Sequence, residues 1–286
     1  MAEQNVARKF KSGEQEIERS PTRFEITGRL ERHVGIETDN FKYLQSVTQR
    51  TAKLCIPSPT ILHMRGGRAA IDKRAYPDMD SFYDDLARIY REEIHALADL
   101  GCTYLQLDDP NMAYLCDEKM RESVRHIGED PDQLPRTYAK LINDCIKDRP
   151  ANMTVCMHIC RGNFRSAWAA EGGYDPVAEI LFNEFKLDGF FLNTTRRGRA
   201  ASRRCVSCPR TRKSSSAWLR PRAATWKVPT ISNGASTRRA VTSLSSSWRS
   251  ARNAAFSSTV LGNNITVDAE IAKLSLVVRV AREVWD

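Results

Sequence analysis

Four absences narrow the possibilities for this 286-residue chain before any motif is read. No run of about 20 apolar residues occurs, so no membrane-spanning helix is expected. The first residues, Met1 to Gly13, are polar and offer no apolar leader, so a soluble cytoplasmic protein is expected. The eight cysteines are scattered rather than framed at short regular spacings, which favours reduced thiols or metal ligands over disulfides. The most pointed absence is local: residues 193–255 contain no Asp or Glu, yet hold 15 Lys and Arg. The whole chain carries 44 basic and 35 acidic residues, so outside that tract the balance is 29 against 35, a net of −6. The formal charge of +9 therefore belongs to one segment and does not describe the protein.

What is present is a 41% hydrophobic chain, enough for a substantial core, with regular patterning from about residue 55. Ile56 to His63 reads as a short strand. Asp80 is placed to cap a helix with an apolar face of Phe82, Leu86, Ile89, Tyr90, Ile94, Leu97 and Leu100, ended by Gly101. Cys102 to Leu107 reads as a buried strand leading into Asp108-Asp109-Pro110. A helix follows over Leu134 to Asp148, then a strand over Met153 to Ile159. A further helix spans Asp175 to Phe185, and Gly189 to Leu192 begins another strand. Near the C-terminus Thr266 can cap a helix carrying Ile271, Leu274, Val277, Val278, Ala281 and Val284.

Strands alternating with helices imply a parallel sheet covered by helices. A doubly wound sheet gives the same local pattern. The TIM-like (β/α)8 barrel is preferred because polar groups follow several strands: His63, then Asp108 and Asp109, then His158 and Cys160. The expected organisation is barrel over 1–192, a tract without native fold over 193–255, and a last strand-loop and helix over 256–286. The barrel is expected to be incomplete at its start.

Three readings fit the tract. It could be a basic nucleic-acid-binding arm over 196–252, with Trp residues stacking on bases. It could be a zinc knuckle on Cys205 and Cys208, although a lone C-x-x-C has no second ligand pair. Or it could be a misread codon frame, and this reading recovers sense. Shifting one base, Asn193-Thr194-Thr195 permits Glu-Tyr-Asp, Lys213 to Leu219 permits the strand-like Lys-Val-Val-Leu-Gly-Leu-Val, and Ala251 to Ala255 permits Ser-Pro-Gln-Cys-Gly. The third reading is preferred, and a nucleic-acid partner is not expected.

The chemistry centres on His158-Ile159-Cys160. Residues two apart on a strand point to the same side, and imidazole with thiolate suits zinc. The segments LQLDDPN (105–111), MHICRGNFRS (157–166), GFF-L (189–192), FSSTVLGNN (256–264) and KLSLVVRVAREVW (273–285) resemble the cobalamin-independent methionine synthase family, especially its short single-barrel members. The resemblance implies a zinc ion held by His, Cys, Glu and Cys. His158 and Cys160 match the first two; Asn193 and Ala254 stand where the other two belong, and neither can serve. The shifted frame permits Glu and Cys at those places. It further implies methyl transfer from 5-methyltetrahydrofolate, as a polyglutamate, to the homocysteine thiol, with Asp108 and Asp109 near the amino acid's ammonium group. Another zinc-thiolate alkyl transfer, of the coenzyme M type, uses the same ligand set and stays open. Arg65-Gly66-Gly67-Arg68 could contact a carboxylate or form a plain loop, Arg161 and Asn163 could shape the site loop, and Cys156 is a weak substitute ligand. His63 and His95 are read as structural.

Overall fold

The computed structural model describes residues 8–12, 15–19, 25–162, 168–192 and 266–285. The sequence expectations for Asn163, Asn193, Ala254, Cys205, Cys208 and the tract 193–255 lie outside the described residues.

A short antiparallel hairpin, β1 (Arg8–Ser12) and β2 (Gln15–Arg19), is followed by α1 (Thr38–Ser46). The central sheet then begins. β3 (Lys53–Pro57) leads into α2 (Ile61–Met64) and the long α3 (Met79–Asp99). β4 (Tyr104–Asp108) leads into α4 (Asn111–Tyr114), α5 (Glu118–His126) and α6 (Leu134–Ile146). β5 (Thr154–Ile159), α7 (Asp175–Asn183) and β6 (Gly189–Leu192) complete the sheet, and α8 (Val267–Trp285) lies near the C-terminus.

The four sheet strands run parallel in the order β3-β4-β5-β6, each beside its successor in the chain. No switch of strand order occurs among them, which is how consecutive strands of an α/β barrel are laid down. They form an arc; closure into a barrel is not formed among the described residues.

The arc's two faces differ because the side-chain period of a strand is 2. Leu54, Ile56, Leu105, Leu107, Val155, Met157, Ile159 and Phe190 face outward and are buried. They pack with Leu86, Ile94 and Leu97 of α3, Tyr138 and Ile142 of α6, and Val177 and Leu181 of α7 in one core. The other face carries Lys53, Cys55, Pro57, Tyr104, Gln106, Asp108, Cys156, His158 and Phe191, and most of these are half-buried or exposed. The Lys53 ammonium on β3 sits 4.3 Å from the ring centroid of Phe191 on β6. A flat sheet would hold those strands about 14 Å apart. With side chains standing roughly perpendicular to the sheet, the contact reports a concave inner face.

Local boundaries depart from the sequence expectations in instructive ways. The strand expected over Ile56 to His63 ends at Pro57, and His63 sits on the helical turn α2. Pro57 and Pro59 carry no amide hydrogen for a ladder. Asp78, not Asp80, caps α3: its carboxylate accepts the Ser81 amide at 2.7 Å, which fixes the helix start two residues earlier. Gly101 ends that helix as expected, with φ +88°. Thr266 caps α8, its hydroxyl accepting the Ala269 amide at 3.2 Å. Of the apolar residues on that helix, Ile271, Leu274 and Val278 are exposed. The hairpin, α1, α4 and α5 were not anticipated. Their apolar positions are too few for a clear period, as in α5, where Val124 alone is buried.

Candidate active site

Polar residues collect where parallel strands end, because the helices that cover the sheet leave the strand ends uncovered. Asp108, last residue of β4, is the register partner of His158 on β5, and both point to the concave face. Backbone bonds lock the level: the Ser58 amide donates to the Asp108 carbonyl at 2.9 Å, and the Asp109 amide donates to the His158 carbonyl at 2.8 Å. Cys160 follows two residues after His158, just past the strand end, and its thiol is a free, half-buried group. Burial pushes that thiol up to about 11, and the nearby Asp108 and Asp109 carboxylates add to the effect.

The acidic pair divides. Asp108 stays half-buried on the concave face, where its Oδ1 accepts the Gln106 side-chain amide at 2.6 Å. Asp109 points the other way and is fully buried. Its carboxylate accepts the Thr60 hydroxyl at 2.8 Å and the Asn111 and Met112 amides at 2.7 and 3.3 Å. Desolvation raises its pKa in spite of these bonds. Of the two, Asp108 has the geometry to meet a ligand, while Asp109 ties the β4 end to the loop after β3.

Behind Asp108 runs a chain that the sequence reading missed. Lys53 donates to the Gln106 Oε1 at 2.6 Å, and the Gln106 Nε2 donates onward to Asp108. The signal was available in the period: Lys53, Gln106 and Asp108 hold inner positions of their strands, between outward apolar residues.

Other candidates resolve into structural roles. His63 is buried, 3.0 Å from the Tyr138 hydroxyl through Nδ1 and 3.2 Å from Glu129 through Nε2. His95 is exposed on α3. Arg68 donates to the Ile71 and Tyr76 carbonyls at 3.0 and 2.6 Å, bracing its own loop. Gly67 in that loop has φ +58°, a conformation that favours glycine. Cys55, Cys102, Cys116, Cys145 and Cys156 are free thiols, as expected. Arg161 is buried, its three guanidinium nitrogens find no hydrogen-bond acceptor among the described residues, and it lies over the Tyr174 ring at 4.9 Å.

His158 and Cys160 supply two suitable donors side by side. Among the described residues, no group of three or more His, Cys, Asp or Glu is placed to hold a metal ion. The residues at hand therefore do not make a tetrahedral zinc shell, which needs four donors.

Comparison with known proteins places this site in context. No family model matches the chain. It is 37% identical over 270 residues to protein YxjG of Bacillus subtilis, a match covering 91% of this chain and 69% of that protein. It is 45% identical over 168 residues to YxjH of the same organism, 58% of this chain but 44% of the relative. Both carry the description uncharacterized. Over 89 residues it is 34% identical to the methionine synthase of Pyrococcus abyssi, 31% of this chain and 21% of that one. A solved Listeria monocytogenes structure, described as a vitamin-B12-independent methionine synthase, shares 39% identity, covering 60% of this chain and 49% of that chain with a TM-score of 0.48.

The chain belongs to the cobalamin-independent methionine synthase family.

The chain spans 44% of the length of YxjH and 69% of that of YxjG. No described helix is long and apolar enough to cross a membrane.

Proposed function

We propose that this chain derives from an enzyme that transfers a methyl group from 5-methyltetrahydrofolate, carried as a polyglutamate, to the thiol of homocysteine, giving methionine. The observation that supports it most is the Asp108–His158 register pair with Cys160 beside it, at the C-terminal ends of adjacent parallel strands, in a chain of this family. Asp108 offers a carboxylate to the ammonium group of an amino-acid thiol. Asp109 holds the Asp108 strand end in place from the buried side. The covered outer face keeps these strands rigid, as a site that must orient two substrates requires.

We further propose that zinc is the family's activator of the thiol, and that this chain is impaired because it carries only half of the ligand shell. The other two positions, Asn193 and Ala254, carry an amide and a methyl group. Residues 193–255 are read as a displaced codon frame between barrel segments 1–192 and 256–286. Two measurements test this. Zinc analysis of the purified chain is expected to give well below one ion per chain, with no methionine formed from homocysteine and methylated folate. The same chain rebuilt with 193–255 in the shifted frame is expected to hold one zinc and to form methionine. Tight stoichiometric zinc in the unaltered chain, or an inactive rebuilt chain, overturns the proposal.

A further inference from the structure

The concave face contains a polar chain, buried at its centre, that the proposed reaction does not by itself require. Gln106 is 8% exposed, in the middle of β4, at a level where an apolar residue would cost nothing in hydrogen bonds. Its amide is engaged at both ends, each at 2.6 Å: by the Lys53 ammonium at Oε1 and by Asp108 Oδ1 at Nε2. The orientation is dictated chemically. A lysine ammonium has donors and no acceptor, and an ionised carboxylate has acceptors and no donor. The amide oxygen must face Lys53 and the amide nitrogen must face Asp108; the flipped amide would oppose donor to donor and acceptor to acceptor. Lys53 is itself held in place, its ammonium lying 5.1 Å from the Tyr104 ring centroid and 4.3 Å from that of Phe191.

We propose that Gln106, oriented by Lys53, is a positioning residue that occupies Oδ1 of Asp108 and turns Oδ2 toward a ligand's ammonium group on the concave face. The inference rests on the reading of Asp108 as the ammonium-binding carboxylate. It adds the device that fixes the carboxylate: a side chain free to rotate would lose part of its binding energy to ordering, and the amide has already imposed that order. The device also sets selectivity. A second group that could neutralise Asp108, the Lys53 ammonium, is kept one amide away, so the carboxylate keeps its charge for the ligand instead of closing an internal ion pair.

The test is calorimetric titration of the full chain with two thiols: L-homocysteine, and 4-mercaptobutyrate, which has the same skeleton without the ammonium group. The unaltered chain is expected to prefer homocysteine. Gln106→Leu, of similar size but without the amide, is expected to weaken homocysteine binding about tenfold and leave 4-mercaptobutyrate unchanged. Lys53→Met removes the orienting donor at the far end of the chain and is expected to weaken homocysteine binding in the same selective way, by about threefold. It also serves if the leucine variant fails to fold. Unchanged selectivity in a folded variant, or equal weakening of both thiols, overturns the positioning role. If the unaltered chain shows no preference between the thiols, the ammonium-binding reading of Asp108 fails, and the positioning role fails with it.

Discussion

Replacing Asp109 by alanine should damage this fold far more than the same change at its neighbour Asp108, and the size of the difference follows from where the two carboxylates point. Asp109 is fully buried and accepts three hydrogen bonds, from the Thr60 hydroxyl and the Asn111 and Met112 amides. Truncation leaves those donors without an acceptor in a closed pocket, at about 1–3 kcal/mol for each one left unsatisfied. Part is recovered, because the buried carboxylate is itself strained by desolvation, as its raised pKa shows. Thr60 can also turn toward Ser58, 3.2 Å away. The net loss is then about 2–4 kcal/mol. Asp108 is half-buried and gives up one bond, to Gln106. Its alanine variant should stay within about 1 kcal/mol of the unaltered chain. Urea unfolding followed by far-ultraviolet circular dichroism measures both. The pH sign is also fixed. A carboxyl whose folded pKa lies above its unfolded value stabilises the fold at low pH and loses that contribution as pH rises through the raised value. Asp109→Asn should therefore flatten the stability profile above the ordinary aspartate range. If the two alanine variants lose equal stability, or Asp108→Ala loses more, the division of the pair into a holding and a ligand-facing carboxylate is wrong.

Three further outcomes follow from buried charges. Glu93 is fully buried and accepts Arg32 Nε at 2.9 Å and the Ile36 and Glu37 amides at 3.0 and 2.8 Å, so Glu93→Leu should cost about 3–5 kcal/mol in urea unfolding and release the segment before α1 to hydrogen exchange. His63 and the Arg68 amide hold Glu129 below the ordinary carboxylate range, so its contribution is complete at neutral pH and lost as pH falls through the lowered value; the melting-temperature gap between the chain and Glu129→Gln should narrow between about pH 5 and 3. Arg161 is buried with no hydrogen-bond acceptor among the described residues, so Arg161→Met should hold or raise stability, by up to about 2 kcal/mol, and a loss above about 1 kcal/mol would show that the guanidinium has a partner in solution.

The legible parts of this protein were those with a strong period or a chemical signature. The face of α3 could be read because Phe82, Leu86, Ile89, Tyr90, Ile94 and Leu97 recur at helical spacing along a 21-residue helix, and all are buried. The strand over Gly189–Leu192 and the Thr266 cap were legible for similar local reasons. The β3 end was misread because Pro57 and Pro59 interrupt an apolar run whose continuation looks like a strand. The cap of α3 was misplaced because Asp78 and Asp80 are both good caps, and the backbone decides which carboxylate reaches an amide.

Sequence alone determined the family likeness and the acid-free tract, since these depend only on which side chains exist. It could not distinguish Asp108 from Asp109: adjacent residues of one type are equal in a string of letters and opposite on a strand end. Nor could it join Lys53 to Gln106, which lie 53 residues apart and meet because two parallel strands bring them to one concave face. Hydrogen bonding and burial act through space, so which carboxylate is buried to hold the fold and which lies on the concave face was decided only when the sheet was assembled.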